Sequence, residues 1–269
     1  MTNSFVKNGY TIVRNAFPLS LHKKIQRIVI KSLNEKTSKT DYKIFCQNLK
    51  NSKKNLFTLN REIHRKFIYE KIFQNIFNSK KLHRHITNLL GKDLSFLDEP
   101  SVTINLPKKF LKNNYFFKDW HQEIWSGADT SSVIMWTSVF QPNTQSQIEI
   151  IKSSHTWGHI PHRNRKPLNL PKSFQTLKTN LKYTDVILMH SMLMHRSSEI
   201  TSDKFLPRLA TPCMIRNFKF QNNSFENNKT WKRFSYSDFT QIERILGNDS
   251  LSPYRLMDLD QNYLSKGTL

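Results

Sequence analysis

The chain has 269 residues, with 42 Lys and Arg against 20 Asp and Glu, for a formal net charge of +22. That length is ample for a packed core, and 37% hydrophobic with 12% aromatic residues excludes a disordered basic tail. No apolar run approaches the roughly 18–20 residues of a membrane helix, residues 1–9 carry no apolar signal stretch, and Cys46 and Cys213 alone make neither a disulfide framework nor a thiolate zinc cage, so a reducing cytoplasmic setting is expected.

The charge is uneven. Residues 1–118 hold 24 Lys and Arg against 7 Asp and Glu (+17), whereas residues 119–269 carry only +5. In chain order, Tyr10-Thr11-Ile12-Val13 is a short β-prone run after Gly9. Pro18 and Ser20 open a helical pattern in which Leu21, Ile25, Ile28 and Val29 share one face. The polar stretch from Lys31 to Asn60 has weak periodicity and reads as loop-rich. From Arg61 to Leu90 the pattern is helical again: Ile63, Phe67, Ile68, Ile72, Phe73, Ile76 and Phe77 form an apolar face, Asn78-Ser79 marks a break, and Gly91 suits a helix C-terminus.

After Gly91 the texture changes to short β-prone runs between turn residues: Leu94–Leu97, Ser101–Leu106, Ser131–Phe140, Ile148–Ile151, Asp185–Leu193 and Arg208–Phe218. Short strands following a helical prelude predict a β-barrel or double sheet with helices on one side. Residues 219–269 read as an irregular aromatic-rich tail with a short helix near Asp238 to Leu246.

Six of the ten histidines lie between residues 121 and 195, in the strand-rich part, which points to a metal or acid–base site. In Trp120-His121-Gln122-Glu123, a strand would place His121 and Glu123 on one face, offering an imidazole and a carboxylate to one point. A second histidine from a distant strand would complete the two-His, one-carboxylate set that binds non-haem Fe(II) and leaves coordination positions open. His195, where the apolar run from Asp185 reaches a polar end, is the candidate; His190, of opposite strand parity, is its rival. Arg208 opens the next apolar strand, and an Arg pointing inward there requires a carboxylate or phosphate partner. His155 and His159 have i, i+4 spacing, but the intervening Glu of a zincin is absent and Gly158 and Pro161 oppose a helix.

With these residues assembled, the sequence from about Gly9 to Phe218 resembles the phytanoyl-CoA dioxygenase family of Fe(II)/2-oxoglutarate oxygenases. Asn8 to Pro18 looks like the family's first strand and helix entry. Trp120-His121-Gln122-Glu123 is similar to its H-Q-D element, with Glu123 one methylene longer than the usual Asp. Ser154-His155 with Trp157-Gly158-His159 resembles its G-S-H-x-x-G stretch, with Ser153 in place of a glycine. Asp185 to His190 resembles its G-D-hydrophobic strand, and His195-Arg196-Ser197 its distal-His segment.

The resemblance implies a mainly β fold with a helical N-terminal part, a double-stranded β-helix (a jelly-roll or cupin-like barrel) flanked by α-helices. It implies a single oxygenase domain over 1–269: strand and helices over 1–92, barrel core over 93–218, and a tail over 219–269 as a candidate lid. His121, Glu123 and His195 would hold Fe(II). Arg208 would grip the far carboxylate of 2-oxoglutarate, with Ser197 and Trp136 lining that pocket, and dioxygen would complete the reactant set. The retained acidic ligand implies hydroxylation of a C–H bond, with release of succinate and CO2.

The basic cluster His162, Arg163, Arg165 and Lys166 suggests an anionic small-molecule or carrier-linked substrate, with Gln122 as a further candidate contact. Two other readings compete: a barrel that has lost catalysis and only binds, and a nucleic-acid-directed protein using the basic N-terminal region. Intact residues at all three metal positions oppose the first. The second lacks any zinc-finger, helix-turn-helix or RNP-like motif.

Overall fold

A computed structural model describes residues 2–37, 39–98, 102–110, 119–142, 148–164, 166–198, 200, 203–219 and 231–245. The chain runs α1 (Thr2–Asn8), β1 (Tyr10–Val13), α2 (Leu19–Leu33), α3 (Tyr42–Asn51), α4 (Leu56–Tyr69), α5 (Ile72–Phe77) and α6 (Lys80–Leu90). It continues through β2 (Leu94–Leu97), β3 (Thr103–Asn105), β4 (Val133–Phe140), β5 (Ile148–Ile151), β6 (His162–Arg163), β7 (Lys166–Pro167) and β8 (Thr176–Lys178). The last elements are β9 (Val186–His190), β10 (His195–Ser197), β11 (Arg208–Asn217), β12 (Trp231–Ser235) and α7 (Asp238–Ile245).

The expected mainly β, jelly-roll-like architecture is present. A seven-stranded sheet has the order β1-β9-β4-β11-β2-β12, with β3 also on β11; a three-stranded sheet has the order β10-β5-β8; β6 and β7 form a small hairpin. Pairing is antiparallel throughout. Among the described residues the two main sheets do not close into a continuous barrel.

Strand alternation divides the interior into two cores. Val133, Met135 and Phe140 of β4, Val186 and Leu188 of β9, and Leu209, Cys213 and Ile215 of β11 face the helices. Ile134 and Trp136, Ile187 and Met189, and Ala210 face the other way, against Ile148 and Ile150 of β5. The large sheet is therefore the middle of three layers. Being covered on both faces, β4 reads as a nearly unbroken buried run rather than an alternating one.

The helical layer is sealed by aromatic packing, including Phe45 of α3 stacked on Phe140 of β4 at 4.4 Å and 4°. The expected loop over 31–60 is therefore incorrect in part. Asp41 caps α3 by accepting from the Ile44 N–H, and Asn55 caps α4 by accepting from the Phe57 N–H. α3 buries only Phe45 and Leu49, one turn apart, so its apolar face is too narrow to stand out among the surrounding Lys and Asn.

The N-terminal helix folds back onto the small sheet through Gly9. Its φ is +81°, and a Cβ there would lie 2.5 Å from Nδ1 of His155. Ser153 then donates from its backbone N to the Asn8 carbonyl (3.1 Å) and from Oγ to the Lys7 carbonyl (2.9 Å). His155 donates from Nε2 to the Val6 carbonyl at 2.8 Å, so this histidine anchors the N-terminus. The short helix expected near Asp238 is α7, and β12 is a strand within the stretch read as irregular; residues 220–230 and 246–269 of that tail lie outside the described residues.

Candidate metal centre

The site lies at the edge of the small sheet, where the segment preceding Glu123 meets β10. His121 and His195 form an isolated antiparallel bridge: the His121 N–H donates to the His195 carbonyl at 3.0 Å, and the His195 N–H returns to the His121 carbonyl at 3.1 Å. This pairing brings together two histidines that are 74 positions apart in sequence.

The strand expected through Glu123 is not there. Glu123 opens a 3-10 turn over Glu123–Ser126, ended by Gly127 in the left-handed region. The Ser191 carbonyl accepts from the N–H groups of both Glu123 and Ile124 (3.0 and 3.3 Å), fixing the turn against the loop after β9. The turn still delivers the carboxylate to the expected point. Glu123 Oε1 lies 3.3 Å from His121 Nε2 and 3.5 Å from His195 Nε2.

One ligand atom from each of His121, Glu123 and His195 lies within 4.8 Å of the others, and all three residues are buried. Both imidazoles are held in the tautomer that a metal requires. His121 Nδ1 lies 2.6 Å from the Asp119 carbonyl and His195 Nδ1 lies 2.9 Å from the Leu193 carbonyl. A carbonyl can only accept, so each Nδ1 carries a proton, and Nε2 is the nitrogen that faces Glu123 and is left to bind a metal. Two imidazoles and a carboxylate whose atoms can lie roughly 2.0–2.2 Å from one ion are a donor set suited to Fe(II). The rival His190 is turned elsewhere: its Nδ1 accepts from the Met192 N–H at 3.1 Å, and its ring lies 5.4 Å from that of His155. Burial, and then the neighbouring His155, hold its pKa down at about 4.

Three further groups stiffen the site. Gln122, fully buried between the two ligands, donates from Nε2 to the Gly158 and Met192 carbonyls at 2.8 and 2.7 Å. Its Oε1 accepts from the Ile160 N–H at 2.9 Å. Both amide N–H donors are thereby engaged by backbone carbonyls. Ser154 Oγ accepts from the Met194 N–H and donates to the Ile151 carbonyl, both at 2.8 Å, tying β5 to the residue before His195. On the outer face of the small sheet, Arg196 pairs with Glu149.

Arg208 is 1% exposed, at the start of β11. Its guanidinium carbon lies 5.3 Å from the Trp136 ring centroid, in the space between the sheets. Burial lowers its pKa to about 10, which leaves it cationic at neutral pH. A buried guanidinium suits a planar anion that can accept two parallel N–H bonds, which is the chemistry of a carboxylate. Ser197 pairs with Ile148 as His195 pairs with Ile150, so Ser197 lies on the same strand face as the ligand. The His162 ring stacks on Trp125 at 4.5 Å, placing the β6–β7 hairpin beside the Glu123 turn. Arg163 on that hairpin is exposed, and Arg165 lies outside the described residues.

An antiparallel sheet pair thus holds two imidazoles and one carboxylate in a buried cluster that could bind a metal ion, the donor set of a non-haem iron centre. A family model for phytanoyl-CoA dioxygenase (PhyH) matches residues 5–210, and the chain belongs to that family. It is an enzyme of the non-haem iron, 2-oxoglutarate-dependent oxygenase class, and its cofactor set is Fe(II), 2-oxoglutarate and dioxygen.

The structure of the epimerase SnoN in complex with Fe3+, alpha ketoglutarate and nogalamycin RO is similar over 80% of this chain and 82% of that one, at TM-score 0.51 and 12% identity. The apo structure of ThoJ, a non-heme monooxygenase, is similar over 88% of this chain and 84% of that one, at TM-score 0.51 and 13% identity. At such identities the likeness establishes the fold. No curated protein sequence matches the chain significantly. Among the described residues no helix is long and apolar enough to cross a membrane.

Proposed function

We propose that the chain is a hydroxylase: it oxidises a C–H bond of an anionic small-molecule or carrier-linked substrate and releases succinate and CO2. The observation that carries this reading is Glu123, a buried carboxylate 3.3 and 3.5 Å from the Nε2 atoms of the two histidines. With a carboxylate as the third protein ligand, no protein position is left for a transferable halide, and oxygen transfer is the outcome the donor set favours.

When bound, Fe(II) with 2-oxoglutarate supplies the oxidising power for C–H cleavage. The chain's own residues do the rest. His121 and His195 keep Nε2 available because their Nδ1 protons are donated to the Asp119 and Leu193 carbonyls. Arg208 binds the far carboxylate of 2-oxoglutarate, with Trp136 and Ser197 lining its place between the sheets. The apolar cluster of Ile134, Ile148, Ile150, Ile187 and Met189 excludes water from that space. Arg163, with Arg165 and Lys166, steers the anionic substrate toward the hairpin beside Trp125. No side chain needs to act as a general base. The two free thiols, Cys46 half-buried and Cys213 buried, fit a reducing cytoplasm as the place of action.

The test is an anaerobic complex of protein, Fe(II) and 2-oxoglutarate challenged with a fractionated metabolite extract and then with 18O2. Succinate release in step with a product that has gained one labelled oxygen is expected. Succinate release with an unlabelled, rearranged product contradicts hydroxylation.

A further inference from the structure

On the reading of His121, Glu123 and His195 as a metal centre, we infer that Arg196 is a positioning residue that locks the two histidine-bearing segments together from the face opposite the metal. Arg196 follows His195 on β10, so its side chain leaves the other side of the strand. There its Nε donates to Glu149 Oε2 at 2.7 Å, and Glu149 is the residue directly across from it on β5. Its Nη1 lies 3.5 Å from Asp119 Oδ1, and its guanidinium carbon lies 4.5 Å from the Trp120 ring centroid. Lys178 of β8 adds a second cation 3.4 Å from Glu149 Oε1.

These contacts converge on the atoms that orient His121. The Asp119 carbonyl accepts the His121 Nδ1 proton at 2.6 Å, while the Asp119 carboxylate accepts the Trp120 N–H at 2.8 Å and faces Arg196. One guanidinium therefore fixes Asp119, stacks on Trp120 and ties both to β5. The backbone bridge between His121 and His195 sets their separation; Arg196 sets the rotation of the 119–121 segment about that bridge. An arginine suits this position because its plane can stack on an indole while its edge reaches two carboxylates. A lysine can retain one of those pairings but not all three contacts. Groups that orient metal-binding imidazoles typically contribute about 10–100-fold in metal affinity.

The experiment is calorimetric titration of the full-length apo protein with Co(II), read together with the Co(II) ligand-field spectrum and the thermal midpoint of the metal-free protein. The expected result is one Co(II) per wild-type chain and none for H195A. R196A should bind about 10–100-fold more weakly, with an altered spectrum, while R196K falls between R196A and wild type. D119N, which retains the Arg196–Glu149 pair, should also weaken binding and shift the spectrum.

A folded R196A with wild-type affinity and spectrum overturns the inference and leaves the metal reading intact. If wild type binds Co(II) no better than H195A, the metal reading itself fails. Should R196A not fold, D119N decides: wild-type affinity and spectrum in that variant overturn the inference.

Discussion

Replacing Gln122 by alanine separates a structural bolt from a substrate contact. The side chain is fully buried, and its amide makes three hydrogen bonds, to the Gly158 carbonyl, the Met192 carbonyl and the Ile160 N–H. Truncation strands all three backbone groups. Each buried group left unsatisfied costs about 1–3 kcal/mol, and water entering the vacated space recovers part of that. A net loss of about 3–6 kcal/mol follows, which for a chain of this size lowers Tm by roughly 5–12 °C. Because the three partners lie in the loops around residues 158–160 and 192, and Gln122 stands between His121 and Glu123, metal affinity should fall in the same variant. The assay is thermal unfolding of metal-free wild type and Q122A by circular dichroism, followed by metal titration below the variant's midpoint. A Q122A midpoint within about 2 °C of wild type, together with a raised KM for substrate, would refute this reasoning and return Gln122 to the substrate side.

Two further outcomes follow from the buried cations and imidazoles. R208K should weaken 2-oxoglutarate binding to Mn(II)-loaded protein by about 10–100-fold while leaving Mn(II) affinity unchanged, because a lysine cannot form the two parallel bonds of a guanidinium; equal 2-oxoglutarate affinity by calorimetry would remove Arg208 from that role. His22 is packed against Phe17 and Tyr183, and burial holds its pKa at about 4. The unfolded imidazole, near 6.5, therefore takes up its proton first as pH falls. Its contribution is fully present above about pH 6.5 and is lost as pH falls toward 4, amounting to about 2–3 kcal/mol. Denaturant unfolding at pH 7 and 4.5 should show a smaller loss in H22Q than in wild type; parallel losses would contradict it.

Much of the site was legible in the sequence because its chemistry is carried by a few residue types in a fixed order. His121, Glu123, His195 and Arg208 could be picked out from one H-x-E, one histidine at the polar end of an apolar run and one arginine opening a strand. Their surroundings were not legible. The period-2 pattern suggests a strand through Glu123, but the carbonyl of Ser191, far along the chain, stabilises a 3-10 turn there instead. The choice between His190 and His195 depends on a bridge between distant segments, which periodicity alone cannot reveal. Gln122 looks like a polar residue beside a site, and its three backbone partners, distant in sequence, are brought to it only by the fold. The Arg196–Glu149–Asp119 group joins residues up to 77 positions apart, so no local motif marks it. Among the elements, α2 and the strands facing both cores were readable from apolar spacing, whereas α3, with two buried anchors, was not.

The most direct test of the central claim is anaerobic calorimetry with Fe(II) and then 2-oxoglutarate on wild type, E123A and H195A. The wild type should bind one Fe(II) per chain and should bind 2-oxoglutarate tightly only once Fe(II) is present, while both variants lose the Fe(II) event. Fe(II) binding that survives unchanged in E123A and H195A, or 2-oxoglutarate binding indifferent to the metal, would contradict a centre built on His121, Glu123 and His195.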